Sequence, residues 1–491
     1  MSQPNNTSDA RSEAQTQMKK GFAWFGSSAL VVRLIELAST LIVLRLLDKS
    51  DFGQASVVIS IVLIVEAMSG AGLGTSIVQA SSLNAKQINS LFWLCMAVAC
   101  GLSLIIASNA SFVAIYYNDP ELKRMLLISS TKMIFVGASV VPLQLLARDM
   151  RFRESSLVQA SATLLESFTR VWLAATGFGA WALIYANVAR GVFICIAAYA
   201  VRPLKPTFHF AKEEVQPFVH FGLRAAIASL LTQCYRHIDY LLVGKFLGLS
   251  AVGLYRVAYE VALTAVEVIT QLVNRVVYPV FSSVSNDKNA LLPVFFDANR
   301  YLWMLIAPIV VAVFFNPEAI ILAFAGQQWV NAATATKLLS WAALMHASSQ
   351  QFSMLFYAQG RPDYVVKGAL LTLLTISISI TVTLTCFPDL SINGAALAWL
   401  VSFPMILFVL MTMAKRLLPF TIPHYLKNLL PIAAALVFMA VIVQILLWTM
   451  AWSTISRPVA AGLSSTIGIF SYILFLYFSP KIRQINLKPN A

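Results

Sequence analysis

The stretch LIVLRLLDKSDFG, residues Leu41 to Gly53, is matched two hundred positions later by LLVGKFLGLSAVG, residues Leu241 to Gly253. In so apolar a chain the Leu and Val matches carry little information. The identical Ser and Gly positions, and the basic pair Arg45 and Lys245, are more specific. Membrane proteins built from two related halves usually carry their functional site between the halves. The repeat therefore predicts two related halves.

Composition places the chain in a membrane. Of its 491 residues, 59% are hydrophobic and 11% are charged, compared with about 25% charged residues in a soluble domain. A helix needs about 20 apolar residues to cross the hydrocarbon core. Fourteen segments qualify, and they run approximately 22–46, 52–74, 88–108, 124–147, 155–176, 179–200, 217–242, 251–278, 294–315, 334–357, 364–387, 390–413, 427–451 and 457–478. Residues 319–325 have the character of an interfacial piece.

The connecting loops predict the orientation of the chain, because cytoplasmic loops keep Lys and Arg. With the N-terminus inside, the predicted outer loops hold only a few basic residues, namely Lys49, Lys123, Arg124, Lys245 and Arg457. The opposite side holds most of the rest. Both termini are therefore expected in the cytoplasm, and the net charge of +14 reflects topology, so no nucleic-acid partner is predicted.

The repeat also predicts how the halves are arranged. It relates helix one to helix seven, and an offset of six crossings makes the two halves parallel. We expect an N-lobe of helices 1–6 over residues 19–213, a C-lobe of helices 7–12 over 214–415, and an extra helix pair over 416–480. Residues 1–18 and 481–491 are expected to be cytoplasmic tails, the first of them disordered. The proline-containing connection 201–216 is the expected linker between the lobes.

Several functional classes are disfavoured. The sequence has no G-x-x-x-x-G-K-[ST] phosphate loop, which argues against direct use of ATP. No connection is long enough for a soluble catalytic domain, so we expect no enzymatic activity and no catalytic residue. The five cysteines lie scattered within apolar segments, which predicts packing and neither a metal site nor a disulfide framework.

Charged residues inside the predicted spans indicate a water-accessible interior. Each would cost about 2.5 to 3.5 kcal/mol at the centre of a lipid-facing helix. In helix one, Arg33 and Glu36 share a face, and the two-hundred-residue offset superposes them on Gln233 and Arg236 of helix seven. Because the polar stripe itself repeats, we expect helices one and seven to face each other.

Further helices add to the predicted cleft. Helix eight presents Arg256, Glu260 and Glu267 on one face, and Glu66 of helix two occupies a corresponding place. Arg190 lies at mid-depth of helix six with no acidic residue within a turn. A simpler interpretation is that such charges only pair and hold helices together, notably Glu166 with Arg170, Arg33 with Glu36, and Arg256 with Glu260.

The balance of charge favours an anionic cargo. Buried or semi-buried basic residues outnumber acidic ones in the predicted spans, and guanidinium groups bind phosphate oxygens bidentately. The predicted substrate-binding residues are Arg33, Glu36, Glu66, Arg190, Gln233, Arg236, Arg256, Glu260 and Glu267. No cofactor is expected, although one of the carboxylates could carry a coupling H⁺ or Na⁺.

Two stretches carry a family resemblance. Residues Leu41 to Gln79 and Asp239 to Ser283 resemble the polysaccharide flippases, the Wzx-like oligosaccharide-lipid exporters of the superfamily that also contains multidrug and toxin extruders. The matching positions are Arg45, Gly53, Lys245, Gly253, Tyr255, Pro279, Phe281 and Ser282. These motifs are mostly structural, so no catalytic residue is transferred from the family.

The resemblance implies an all-α integral membrane fold with a V shape and two lobes, like the multidrug and toxin extruders. It also implies flipping of a polyprenyl-pyrophosphate-linked oligosaccharide across a bacterial inner membrane by alternating access, for surface or exopolysaccharide biosynthesis. A polysaccharide polymerase and a chain-length regulator are the implied protein partners, besides membrane lipid. A cation-coupled multidrug exporter of the same superfamily is the alternative, and it would require a cleft dominated by carboxylates. A membrane polymerase or glycosyltransferase would need a large exported loop, which is not present.

Overall fold

The protein is described here by a computed structural model that covers residues 32–79, 83–450 and 457–478. The predicted tails 1–18 and 481–491 lie outside the described residues. Within these ranges the ordered elements are helices, and the predicted all-α class is confirmed.

Each of the fourteen predicted crossings coincides with a long helix over its described residues; of the first, 22–46, residues 22–31 lie outside them. The long helices are α1 (32–46 of the described residues), α2 (Lys49–Gln79), α3 (Ala85–Tyr116), α4 (Glu121–Arg148), α5 (Phe152–Ala175), α6 (Trp181–Val201), α7 (Lys212–Leu247), α8 (Leu249–Ser283), α9 (Lys288–Phe315), α11 (Ala333–Ala358), α12 (Pro362–Cys386), α13 (Ile392–Ala414), α14 (Ile422–Met450) and α15 (Arg457–Phe478). The short helix α10 (Pro317–Phe324) occupies the predicted interfacial piece.

Nine of the described helices are long and apolar enough to cross a membrane: α2, α3, α4, α6, α9, α12, α13, α14 and α15. The remaining long helices are α1, of which residues 32–46 are described, and α5, α7, α8 and α11, whose apolar faces are interrupted by polar side chains. These include the helices on which the polar stripes were predicted. The chain is thus a multi-pass membrane protein.

The two repeated stretches form equivalent junctions between consecutive helices. The first joins the end of α1 to Lys49 at the start of α2, and the second joins Leu247 of α7 to Leu249 of α8. Gly248 makes the second junction with φ of 84°, a conformation that glycine adopts without the steric cost that other residues incur. The sequence match therefore corresponds to a repeated helix–turn–helix element.

The chain divides into two compact units, one up to Gln233 and the other from Cys234. In the first unit, α4 packs against α2, α3 and α6. Gly137 of α4 lies directly against Ala99 of α3, and this close approach of two helix backbones is typical of membrane proteins.

In the second unit, α11 is the central helix. It packs against α8, α9 and α13, while α14 and α15 pack against each other and against α9. Large aromatic side chains fill this unit, among them Trp329, Trp399 and Phe352, all fully buried. The polar residues of α8 and α11 are therefore held in a rigid aromatic setting.

Candidate functional site

Arg33 and Glu36 lie on one face of α1 and pair with each other, and Arg170 of α5 binds the same helix. Arg33 Nη1 lies 2.7 Å from Glu36 Oε2, and about a third of each side chain is exposed. Arg170 of α5 donates through Nη2 to the Glu36 carbonyl oxygen at 2.8 Å and through Nε to Ser39 Oγ at 3.0 Å. The Arg33–Glu36 pair joins two residues of one helix, so it does not itself hold helices together. Arg170 is the group that joins α5 to α1.

Glu166 of α5 pairs with Arg190 of α6, an arginine that has no acidic residue within a turn of its own helix. Its Oε2 lies 3.1 Å from Arg190 Nη1, so the ion pair links α5 to α6. The predicted pairing of Glu166 with Arg170 is therefore wrong. Glu166 pairs with Arg190 of α6, and Arg170 binds α1. A spacing of four residues places two side chains near each other, but a neighbouring helix can offer a better partner.

Glu66 of α2 is held by a lysine of α4. Lys132 Nζ lies 2.7 Å from Glu66 Oε2, and the side chains are 6% and 25% exposed, respectively. Gly191 of α6 makes room for the lysine, because a Cβ at position 191 would lie 2.8 Å from Lys132 Cγ. Lys132 thus occupies a space formed by three helices, where it compensates the charge of Glu66.

In the second unit, Arg256 and Glu260 of α8 are paired. Arg256 donates to Glu260 Oε1 through Nε at 3.0 Å and Nη2 at 2.8 Å, and Thr264 donates to Glu260 Oε2 at 2.7 Å. The Arg256 guanidinium also lies 5.1 Å from the ring centroid of Tyr240 on α7. The predicted pair exists, and its cation–π contact connects α8 to α7.

Of the predicted site arginines that the structure describes, Arg236 of α7 is the one with a buried nitrogen that lacks a hydrogen-bond partner. Its guanidinium interacts first with Tyr235 beside it on α7, and then with Glu267 and Tyr259 of α8. Tyr259 donates to Glu267 Oε1 at 3.4 Å. Its buried Nε has no hydrogen-bond partner among the described residues. Gln233 precedes Arg236 by one turn and is partly buried. A buried donor without an acceptor costs about 1 to 3 kcal/mol, so this atom is available to an incoming acceptor group.

Two residues near this cluster were not predicted: His346, a neighbour of Arg236, and Trp399, which packs on His346 and Tyr259. His346 of α11 interacts electrostatically with Arg236, and its ring centroid lies 6.0 Å from that of Trp399 on α13. Trp399 lies 5.6 Å from Tyr259. Neither His346 Nε2 nor Trp399 Nε1 has a hydrogen-bond partner among the described residues. The available signal was a histidine beside polar residues of α11 and a tryptophan within the apolar helix α13, which is weak because such residues usually pack.

Asp239 is the most enclosed acidic residue of this region. It is fully buried, and its Oδ2 accepts a hydrogen bond from the Tyr255 hydroxyl at 3.0 Å. The cluster around Arg236 and Arg256 thus contains acids that are already engaged by hydrogen-bond donors of the protein. Among the described residues, no group of three or more His, Cys, Asp or Glu side chains is arranged to hold a metal ion.

The predicted site residues therefore fall into two sets. The first unit holds Arg33, Glu36, Glu66, Arg190 and Gln233, and the second holds Arg236, Arg256, Glu260 and Glu267. Within the sets, Arg33, Arg190 and Arg256 each form an ion pair. That these residues bind a substrate stays a prediction.

Comparison with known proteins gives matches to polysaccharide biosynthesis proteins. The family model described as "Polysaccharide biosynthesis protein" matches residues 42–334. The succinoglycan biosynthesis transport protein ExoT of Rhizobium meliloti (strain 1021) is 26% identical over 294 residues, which are 59% of each chain. The match thus spans less than two thirds of that protein. The lipopolysaccharide biosynthesis protein WzxC of Escherichia coli (strain K12) is 20% identical over 350 residues, or 71% of each chain.

A solved structure shows the same fold. The lipid II flippase MurJ, in an inward closed conformation, superposes with a TM-score of 0.80 at 14% sequence identity and covers 94% of this chain and 100% of its own. This match confirms the predicted fold class for nearly the whole chain. At this level of identity the likeness concerns the fold alone.

Proposed function

Since this chain belongs to the polysaccharide biosynthesis protein family, we propose that it flips a polyprenyl-pyrophosphate-linked oligosaccharide across the bacterial inner membrane. The predicted membership among the polysaccharide flippases is thereby confirmed at the level of the family. The cargo's charged head enters a polar interior by alternating access while its lipid tail stays in the bilayer. No covalent bond is made or broken in this process, so the protein acts as a transporter and not as an enzyme.

The proposal rests on the buried guanidinium nitrogen of Arg236. Its buried Nε lacks an acceptor among the described residues, whereas Arg256 on the adjacent helix is engaged by Glu260. A pyrophosphate offers acceptor oxygens with the negative charge that a guanidinium binds most strongly. We assign Arg236 as the first group to contact the pyrophosphate, with Arg256 stabilising the charge of the complex from α8.

Tyr259, which interacts with Arg236, and Trp399, which packs on Tyr259, fit a cargo that carries sugars. Tyr259 and Trp399 pack edge to face at 5.6 Å, and Trp399 Nε1 has no partner among the described residues. An aromatic ring with a polar group can both contact the apolar face of a sugar and donate a hydrogen bond to a hydroxyl. Trp399 is buried, so such a contact would require the region to open during transport.

The multidrug alternative has less support. An exporter of organic cations would need a carboxylate that is ready to accept a positive charge. In the second unit, Glu260 already accepts from Arg256 and Thr264, and Asp239 accepts from Tyr255. These acids already accept hydrogen bonds from protein donors. Among the described residues, the charged group of this region with a donor left for a ligand is Arg236.

The remaining features of the proposal are the location, the driving force and the partners. We place both termini in the cytoplasm on the basis of the Lys and Arg distribution, which reporter fusions at each end would test.

Coupling to H⁺ or Na⁺ is tested by dissipating each gradient in turn with a selective ionophore. A polysaccharide polymerase and a chain-length regulator are proposed as partners, to be tested by crosslinking in cells.

Reconstitution decides between the two classes of cargo. Purified protein in proteoliposomes is supplied with a fluorescent lipid-linked oligosaccharide in one assay and with a cationic dye in the other. We expect the oligosaccharide to become accessible on the opposite leaflet and the dye to remain where it was. Movement of the dye without movement of the oligosaccharide would establish the drug exporter instead.

A further inference from the structure

The connection between α6 and α7 is fastened to α3 by a set of side-chain hydrogen bonds. We call residues 203–211, PLKPTFHFA, the strap. Asn89 donates to Thr207 Oγ1 at 2.8 Å and accepts from the Thr207 backbone N–H at 3.2 Å. Trp93 Nε1 donates to the Thr207 carbonyl oxygen at 2.9 Å. Both backbone polar groups of Thr207 are thus satisfied by one face of α3.

The C-terminal end of the strap is fixed in the same way. The Ala211 backbone N–H donates to Ser90 Oγ at 3.2 Å, and Ser90 Oγ donates to Glu214 Oε2 of α7 at 3.0 Å. Leu204 packs against the core cluster that contains Phe92 and Val215. A linker that merely had to span two helices would not need these contacts, so the strap has a defined position on the first unit.

The length of α3 gives an expected depth for the strap in the bilayer. Helix α3 has 32 residues and is therefore about 48 Å long, whereas the hydrocarbon core is about 30 Å thick. Trp93 lies eight residues after Ala85, or about 12 Å along the helix. If α3 is centred in the membrane, Trp93 lies at the edge of the hydrocarbon, where Trp side chains are enriched.

The strap exposes aromatic side chains at this depth. Phe208 stacks on Trp93 with ring centroids 4.6 Å apart, and yet it is 93% exposed; Phe210 is 57% exposed. Lys205 and Lys212 flank these residues and are exposed as well. The segment therefore has two outward aromatic residues between two outward cations.

We propose that the strap is an interfacial membrane anchor that binds anionic phospholipid. Phe208 and Phe210 insert at the boundary between headgroups and acyl chains, and Lys205 and Lys212 contact lipid phosphates. Irregular backbone is tolerated near hydrocarbon only where its polar groups have partners, and the bonds from α3 supply them at Thr207 and Ala211. Basic residues next to a bilayer attract anionic lipids, which selects this lipid class over neutral ones.

The anchor is independent of what the protein transports. Its basis is the position of the strap on α3 and the membrane character of that helix. A protein partner would bury the same aromatic residues, but the depth of Trp93 favours lipid as the occupant. An anchored strap would also hold the first turn of α7, through Ser90 and Glu214, at a constant depth.

Fluorescence in proteoliposomes tests the anchor directly. An environment-sensitive fluorescent amino acid is incorporated into the full chain at position 208, and in a matched control at position 85, the exposed first residue of α3. The vesicles contain either phosphatidylcholine alone or phosphatidylcholine mixed with phosphatidylglycerol. We expect a lipid carrying a quencher near its carbonyl groups to quench the probe at 208 several-fold more than the probe at 85. We also expect this quenching to increase with phosphatidylglycerol.

Charge variants separate the two parts of the proposal. In the Lys205→Gln/Lys212→Gln protein the increase with phosphatidylglycerol should disappear while the basal quenching at 208 remains. A probe at 210 provides a second position should the one at 208 impair folding. Quenching at both 208 and 210 by aqueous iodide as strong as at 85, without quenching by lipid, would overturn the anchor. Equal lipid quenching in both vesicle types would overturn its preference for anionic lipid.

Discussion

Lys132 of α4 and Glu66 of α2 form an ion pair in which the lysine side chain is almost completely buried and the two charged atoms are 2.7 Å apart. A buried charge that loses its partner costs about 3 to 5 kcal/mol, whereas replacing both partners is often neutral. Variants of this pair therefore measure how much a buried ion pair stabilises the first unit.

Breaking the pair from the lysine side should destabilise the protein. In Lys132→Met, Glu66 loses its cation, and we expect a loss of about 3 kcal/mol, at the low end because Glu66 is a quarter exposed. The measurement is the melting temperature of the purified protein in detergent. The double variant Lys132→Met/Glu66→Gln should recover most of the loss. A single variant that melts like the wild type would show that the pair contributes nothing.

Gly191 should not tolerate a side chain. A Cβ at this position would lie 2.8 Å from Lys132 Cγ, so Gly191→Ala should displace the lysine stem and cost about 1 to 3 kcal/mol. Gly101→Ala is the matched control, because a Cβ there meets nothing within 4 Å, and alanine is favoured over glycine in a helix by about 1 kcal/mol. We expect the melting temperature to fall for the first variant and to stay level or rise for the second. Equal melting temperatures would contradict the close contact.

The Arg190–Glu166 pair can be tested by exchanging its charges. Arg190→Glu places two carboxylates opposite each other across α5 and α6, and should lower the yield and the melting temperature of the protein. Arg190→Glu/Glu166→Arg restores an attractive pair and should recover about half or more of the loss, since the interaction between contacting residues is about 0.5 to 3 kcal/mol. If Glu166 depended on Arg170, the double variant would show no recovery over the single one.

These ion pairs show how far the sequence could predict the structure. The crossings were predictable because the bilayer requires a long apolar segment for each helix, and every predicted segment corresponds to a helix. Pairs within a helix, such as Arg256 with Glu260, were predictable because helical spacing alone brings the two residues together. The partner of Arg190 was not, because it depends on the rotation of α5 against α6.

The surroundings of Arg236 show the same limit in the candidate site. Its place on a polar face of α7 followed from a repeat in the sequence. His346 and Trp399 lie on α11 and α13, two helices on which no functional stripe was predicted. The proximity of His346 to Arg236 and of Trp399 to Tyr259 arises from packing between helices far apart in the chain. The periodicity of a single helix does not report such packing.

Arg256 should require its guanidinium and not only its charge. Arg256→Lys keeps the positive charge, but it loses the two-donor contact with Glu260 and weakens the stacking on Tyr240. We expect flipping of the lipid-linked oligosaccharide in proteoliposomes to fall about tenfold, the effect of about 1.4 kcal/mol, with normal melting behaviour. Arg300→Lys, which alters an arginine paired with Asp297 elsewhere, serves as the control. Full activity of the Arg256→Lys protein would show that a point charge suffices.

The central claim is that Arg236 binds the phosphorylated head of the cargo, and the initial flipping rate of reconstituted Arg236→Ala protein tests it most directly. A hydrogen bond to a charged group contributes about 1.5 to 3 kcal/mol, so the rate should fall about ten- to one-hundredfold. The matched control Arg361→Ala removes an exposed arginine paired with Asp363 and should flip at the wild-type rate. The claim is contradicted if Arg236→Ala protein, correctly folded and inserted, flips the lipid-linked oligosaccharide as fast as the Arg361→Ala control.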